Sequence, residues 1–264
     1  MRYINFLVFA TCLCSCTKTV IDKKTNIIGH AAMGLNSSSS IYADNSMEAI
    51  QLALSFSNCK GIELDVQMDN LGQLWLYHDE NLSTKTNTEG CINTIDPDVL
   101  STVFYKTIHH EKLVKLDKNV LEILKDKTVF FDLRHFNPCT NSIIESTKIK
   151  NALLALEVDS LENVIVITSN YELLETLADE FKVFYSTDNY AKGLQIMLDY
   201  PECAGLVIRN VSITADEVHA IQALNKQVAI FEVRSPKGTK IAFNKAPDYL
   251  ITDELRTALA IAYQ

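Results

Sequence analysis

The stretch Gly61-Ile62-Glu63-Leu64-Asp65-Val66-Gln67-Met68, then Asp69-Asn70-Leu71-Gly72, then Gln73-Leu74-Trp75-Leu76-Tyr77-His78-Asp79, decides the fold. Side chains alternate along a strand, so positions i and i+2 share a face about 6.5–7 Å apart. Ile62, Leu64 and Val66 then form one apolar face suited to packing on helices, and Glu63 and Asp65 share the opposite face. Asp69–Gly72 reads as a turn, and the run after it as a strand placing Leu74, Leu76 and His78 on one face.

Strand-like and helix-like segments alternate on both sides. Residues 26–31, 128–136, 163–169, 182–187, 204–210, 227–235 and 248–253 read as strands. Residues 44–57, with Asp44 as N-cap, 116–126, 142–157, 171–181, 191–200, 214–225 and 254–262 read as helices. Such alternation implies parallel strands with crossover helices. Roughly eight strands in a chain of this size suit a closed (β/α)8 TIM barrel, an α/β fold in a single domain over residues 26–264. The polar stretch 80–115 reads as an inserted loop region, and Ser37–Ser40 as a flexible loop. The stripe Leu194, Met197 and Leu198 reads as core, and Tyr42, Trp75 and Tyr77 as packing residues.

The chain has 264 residues, 47% of them hydrophobic, and a formal net charge of -9. No basic stripe is present, so nucleic acid is excluded as a main partner. Arg2 precedes an apolar run too short to span a bilayer. Leu13-Cys14-Ser15-Cys16 resembles a bacterial lipobox. That resemblance implies a lipoprotein signal peptide over 1–15, a lipid anchor at Cys16 and a tether over 16–25. It places the protein outside the cytoplasm, anchored to a bacterial membrane in the periplasm, at the outer membrane or at the cell surface. The other reading is an ordinary secretory signal with incidental cysteines. Cys59, Cys91, Cys139 and Cys203 fit no disulfide or zinc spacing and are expected to be mostly buried free thiols.

Two inward carboxylates resist losing water side by side, and a divalent cation resolves the repulsion. Oxygen-only ligands favour Mg²⁺ or Ca²⁺. His30 and His78 end strand-like runs on either side of these acids, and a histidine near its ordinary pKa suits proton transfer in either direction. On the strand 128–136, Phe130, Asp132 and Arg134 share a face. Either Asp132 and Arg134 are a buried ion pair, or Asp132 completes a metal site and Arg134 contacts phosphate. His109 and His110 read as solvated, His135 as facing the opposite side of its strand, and His219 as a surface residue of a helix.

These motifs, taken in order, resemble the glycerophosphodiester phosphodiesterases of the phosphatidylinositol-phospholipase-C-like superfamily. The resemblance rests on His30-Ala31-Ala32, Asp44-Asn45-Ser46-Met47-Glu48-Ala49, Gly61–Val66, His78-Asp79, Thr86–Gly90, Asp132-Leu133-Arg134, Phe231-Glu232-Val233 and Ile251-Thr252-Asp253. It implies metal-dependent hydrolysis of a glycerophosphodiester, a small-molecule substrate, to sn-glycerol 3-phosphate and an alcohol. His30 and His78 look like the acid/base pair, Glu63, Asp65 and Asp132 like ligands of Mg²⁺ or Ca²⁺, and Arg134 and Asn45 like substrate contacts. The family's arginine after the first histidine is Ala31 here, its glutamates are Asp44 and Asp132, its lysine is Arg134 and its tryptophan is Phe231, with Glu232 as an added acid. Two alternatives follow from these departures: a related lipid phosphodiesterase of the phospholipase or sphingomyelinase type, or a catalytically weakened surface binding lipoprotein.

Overall fold

The computed structural model describes residues 25–35, 37, 40–158 and 163–263. Among them eight parallel strands pair in chain order and close into a barrel. They are β1 (Asn26–Gly29), β2 (Gly61–Met68), β3 (Thr128–Leu133), β4 (Val164–Thr168), β5 (Lys182–Ser186), β6 (Gly205–Arg209), β7 (Gln227–Val233) and β8 (Tyr249–Thr252). Closure comes from β1, which pairs with β8 through Ile27 and Leu250 and with β2 through Ile28 and Gly61. The single-domain (β/α)8 barrel expected from the alternation is the fold observed.

Helices cover the outside: α1 (Met47–Ser55), α2 (Lys118–Leu124), α3 (Ser146–Ala155), α4 (Tyr171–Leu177), α5 (Tyr190–Asp199), α6 (Ala215–Gln222), α7 (Pro236–Phe243) and α8 (Leu255–Ala262). Their starts are written in the sequence. Asn170, Asn189 and Ser235 accept backbone N–H groups at three N-termini, and Thr214 with Glu217 forms a capping box. The N-cap of α1 is Ser46, not Asp44 as expected, because Asp44 turns toward a lysine instead. Helix α7 was not anticipated. It is short, opens on Pro236 and carries Gly238 and Thr239, so propensity hides it.

Two apolar layers explain the strand pattern. Ile62, Leu64 and Val66 of β2 and Val129, Phe131 and Leu133 of β3 pack with the helices. Ile28, Phe130, Ile165, Ile167, Phe184, Val207, Ala229, Tyr249 and Ile251 fill the barrel. Phe130 meets Phe184 and Tyr249 edge-on. The α5 stripe is only partly core: Met197 is buried, but Leu198 is exposed, and Gly193 and Ile196 complete the buried face.

The turn at Asp69–Gly72 joins two strands, as expected. Leu74–Leu76 is an antiparallel strand on the end of β2, paired through Val66 and Leu76, so His78 follows a hairpin and not a barrel strand. Residues 80–115 are more than a loop. Leu82, Ile92, Leu100, Val103, Tyr105 and Leu113 gather around Trp75 and Tyr77 in a core of their own. These residues lack helical or strand periodicity, so composition alone read the stretch as polar. Cys91 in this insertion is bonded to Cys139 after β3, which corrects the expectation of free thiols there. Cys59 and Cys203 are buried and free.

The expected signal peptide, the anchor Cys16 and nearly all of the tether fall outside the described residues, as do Ser38 and Ser39 of the Ser37–Ser40 tract.

Candidate active site

Strands β2 and β3 place the acids. Register pairs Glu63 with Phe130 and Asp65 with Asp132, so all three carboxylates lie on the interior side at the top of the barrel. Oxygens of Glu63, Asp65 and Asp132 all come within 4.8 Å of one another. That spacing, with oxygen as the only donor, fits one hard divalent cation.

After β1 the chain turns back sharply. Ala31 and Ala32 have φ of +44° and +74°. A Cβ on Gly29 would lie 1.9 Å from the carbonyl oxygen of Ala32, so only glycine permits this turn. The turn aims the Ala31 N–H at Glu63 Oε2 (2.8 Å) and leaves His30 over the acids, its Nε2 3.7 Å from Glu63 Oε2. His30 Nδ1 is 2.8 Å from Asp253 Oδ1. Burial works against a charge on His30. The hydrogen bond to Asp253 and the charges of Glu63, Asp253 and Asp65 overcome it and raise its pKa to about 9. Burial raises Glu63, and the charge of Asp65 adds to the rise.

His78 approaches from the hairpin. Gln67 Nε2 donates to the carbonyl oxygens of Tyr77 (2.8 Å) and Asp79 (2.9 Å), which pins the backbone on both sides of the ring. Its Nδ1 is 2.8 Å from Asp79 Oδ1. Each histidine thus has Nδ1 engaged by an aspartate and Nε2 left for another partner.

Arg134 bridges two of the acids, with Nη2 2.6 Å from Asp65 Oδ1 and 3.3 Å from Asp132 Oδ2. Burial opposes ionisation of Asp65, but Arg134 chiefly, with His78, His30 and Asn45, holds it below the usual range. Asp132 is pushed up by burial, partly relieved by Arg134. Asn45 uses both ends of its amide on Asp65: Nδ2 donates to Oδ2 at 2.9 Å, and Oδ1 accepts from the Asp65 N–H at 3.0 Å. It therefore supports an acid rather than facing outward as a substrate contact.

A cleft of about 650 Å³ opens over this cluster, lined by His30, Glu63, His78, Asp132 and Arg134. Lys192, Arg209 and Arg234 also line it, with Asp188, Phe231 and the hydroxyls of Ser169, Ser186 and Thr187. Glu232, the added acid, sits at φ +59° in the irregular end of β7. It pairs with Arg209 (3.3 Å) and Arg234 (3.5 Å), which are shared with Asp188 (3.0 Å from Arg209) and Asp253 (3.3 Å from Arg234). His109, His110 and His219 are exposed, as expected. His135 lines a smaller adjoining pocket of about 180 Å³.

Sequence reasoning gave no role to Asp253, Asp79, Arg209 or Arg234. The Ile-Thr-Asp and His-Asp motifs were the available signals for the first two. The arginines end β6 (Arg209) and follow β7 (Arg234), strands whose order around the barrel is a property of the closed sheet.

A barrel rim that joins clustered carboxylates, aspartate-held histidines and cationic side chains over an open cleft defines a hydrolase acting on phosphate esters. The chain belongs to the glycerophosphoryl diester phosphodiesterase family, whose model matches residues 36–257, and it is a phosphoric diester hydrolase. Among curated proteins it is similar to a glycerophosphodiester phosphodiesterase of Bacillus altitudinis, 25% identical over 229 residues that cover 80% of this chain and 89% of the relative. Among solved structures it is similar to an Oleispira antarctica phosphodiesterase in complex with the product sn-glycerol-3-phosphate (TM-score 0.74, 19% identity, 89% of this chain and 96% of that one). It is also similar to a putative glycerophosphodiester phosphodiesterase of Galdieria sulphuraria (TM-score 0.76, 13% identity, 91% and 98%). These structural likenesses establish the fold.

Proposed function

We propose that this protein hydrolyses glycerophosphodiesters to sn-glycerol 3-phosphate and an alcohol, with His30 and His78 as the acid/base pair. The observation that carries the reading is the disposition of the two histidines: each is held at Nδ1 by its own aspartate beside one carboxylate cluster in one cleft. One histidine removes the proton of the attacking water as the new P–O bond forms. The other protonates the leaving oxygen as the old P–O bond breaks. The product complex of the Oleispira antarctica protein supports the choice of product.

Glu63, Asp65 and Asp132 are the residues that would hold Mg²⁺ or Ca²⁺. The cation, when bound, supplies positive charge for the phosphoryl oxygens. Arg134, 2.6 Å from Asp65 and 3.3 Å from Asp132, brings a second positive charge to the rim where the phosphate would sit. Lys192, Arg209 and Arg234 bring positive charge to the cleft for an anionic diester. Ala31, in place of the family's arginine, gives no charge here, and Arg234 stands 3.3 Å from Asp253, beside His30.

The lipobox supports a membrane-anchored protein outside the cytoplasm. The Cys91–Cys139 disulfide supports the same compartment, since such bonds persist where conditions are oxidising. Mass spectrometry of the mature N-terminus tests the anchor: a diacylglycerol-modified Cys16 is expected, and an unmodified free N-terminus overturns it.

The deciding experiment measures release of glycerol 3-phosphate from a panel of glycerophosphodiesters with Mg²⁺, with Ca²⁺ and with chelator, beside a His30→Ala control. Turnover lost to both chelator and substitution is expected. Metal binding without turnover on any diester overturns the reading in favour of an altered substrate such as an intact lipid, and then of a binding lipoprotein.

A further inference from the structure

Lys85 belongs to the insertion, yet its ammonium reaches the catalytic side of the barrel. Its backbone is held at both ends: its N–H donates to the Leu82 carbonyl at 3.3 Å, and its own carbonyl accepts from the Lys106 N–H at 2.8 Å. Leu82 and Tyr105 on either side are part of the insertion's apolar core. The side chain is largely buried and lies 3.0 Å from both carboxylate oxygens of Asp44. Its Nζ is also 3.6 Å from Oδ2 of Asp79, whose Oδ1 holds His78.

The second oxygen of Asp79 is buried and has no hydrogen-bond partner among the described residues. The lysine is therefore its compensating charge. Without that charge, two carboxylates shielded from water would face each other across the gap. One of them would then take up a proton or swing away. Burial works against ionised Asp79, and the His78 hydrogen bond with the Lys85 charge keeps its carboxyl below the usual range. Burial raises Asp44, and Lys85 partly offsets the rise. The phenols of Tyr77 and Tyr105 feel the charges of Asp44 and Asp79, and neither replaces a cation.

We propose that Lys85 is a positioning residue, an ammonium clamp that keeps Asp79 in place so that His78 presents Nε2 to the cleft. The proposal rests on the reading of His78 as one of the acid/base pair. It gives the insertion a catalytic purpose, because residues 80–115 supply the charge that the barrel strands do not.

The test uses the full chain in detergent, with sn-glycero-3-phosphocholine as the diester and three variants: Lys85→Met, Lys85→Arg and His78→Ala. Steady-state kinetics and the tautomer of His78 by ¹⁵N NMR are measured for each, the His78 resonance being assigned by its loss in His78→Ala. In the wild type His78 is expected as the Nδ1–H tautomer. Lys85→Met is expected to lower kcat by about tenfold or more with KM nearly unchanged, and to mix the tautomers. Lys85→Arg restores most of kcat. A Lys85→Met enzyme with wild-type kcat and tautomer, beside an inactive His78→Ala, overturns the clamp alone. Full turnover by His78→Ala overturns the two-histidine reading instead, and the tautomer of Lys85→Met still decides the clamp. Should Lys85→Met not fold, Lys85→Gln keeps a polar end and removes the charge, and the same two readouts apply.

Discussion

His30 Nδ1 lies 2.8 Å from Asp253 Oδ1, although 223 positions separate the two residues. The contact exists because β1 pairs with β8, which sets Gly29 beside Thr252 and brings the next residue of each strand together at the rim. Asp253 also accepts from the Leu35 N–H at 2.9 Å and faces Arg234 at 3.3 Å, so it is fixed before it orients the imidazole.

Asp253→Asn is therefore expected to lower kcat by about 100-fold while KM changes little, since an amide no longer holds the required tautomer of His30. Steady-state kinetics on the preferred diester check this. A variant within twofold of wild type removes Asp253 from the argument.

The acid cluster predicts a graded loss of cation binding. Asp65→Asn is expected to abolish Mg²⁺ or Ca²⁺ binding in calorimetric titration. Asn45→Ala is expected to weaken it by about 10-fold or more, because both hydrogen bonds that orient Asp65 are lost. Equal affinity in wild type and Asn45→Ala contradicts the supporting role of that amide.

Stability in the presence of chelator is expected to fall as pH rises. The folded pKa of His30 is about 9, above its ordinary value, so its contribution is fully present below about pH 6.5 and lost as pH climbs through 9. Glu63 is also raised, which drives stability in the same direction. The shift on buried His30 corresponds to about 3 kcal/mol. Urea unfolding across this range, compared with His30→Asn, measures it. A wild-type profile as flat as that of the variant refutes the expectation.

The disulfide closes a long loop between the insertion and the segment after β3, with a sequence separation of 48. The chain-entropy account assigns about 4 kcal/mol to a loop of that size. The Cys91→Ser, Cys139→Ser double variant is expected to lose about 2–4 kcal/mol in chemical unfolding. No change in midpoint would mean that the apolar core around Trp75 holds the insertion without it.

The sequence by itself determined the barrel, because alternating strand and helix patterns admit few closed solutions, and each barrel strand's inner and outer faces follow from a period of two. It also marked Glu63, Asp65, Asp132, His30 and His78, since paired acids on one strand face and histidines after strand-like runs are local features. Tertiary structure alone decided who holds whom. Asp253 reaches His30 only through barrel closure, and Arg209 and Arg234 come together around Glu232 only where β6 and β7 lie side by side. Lys85 meets Asp44 and Asp79 because an insertion without periodicity collapses on Trp75 and Tyr77. Local pattern records which face a side chain takes, but pairing across long loops depends on closure of the sheet and on packing, and neither is written in any single stretch of the chain.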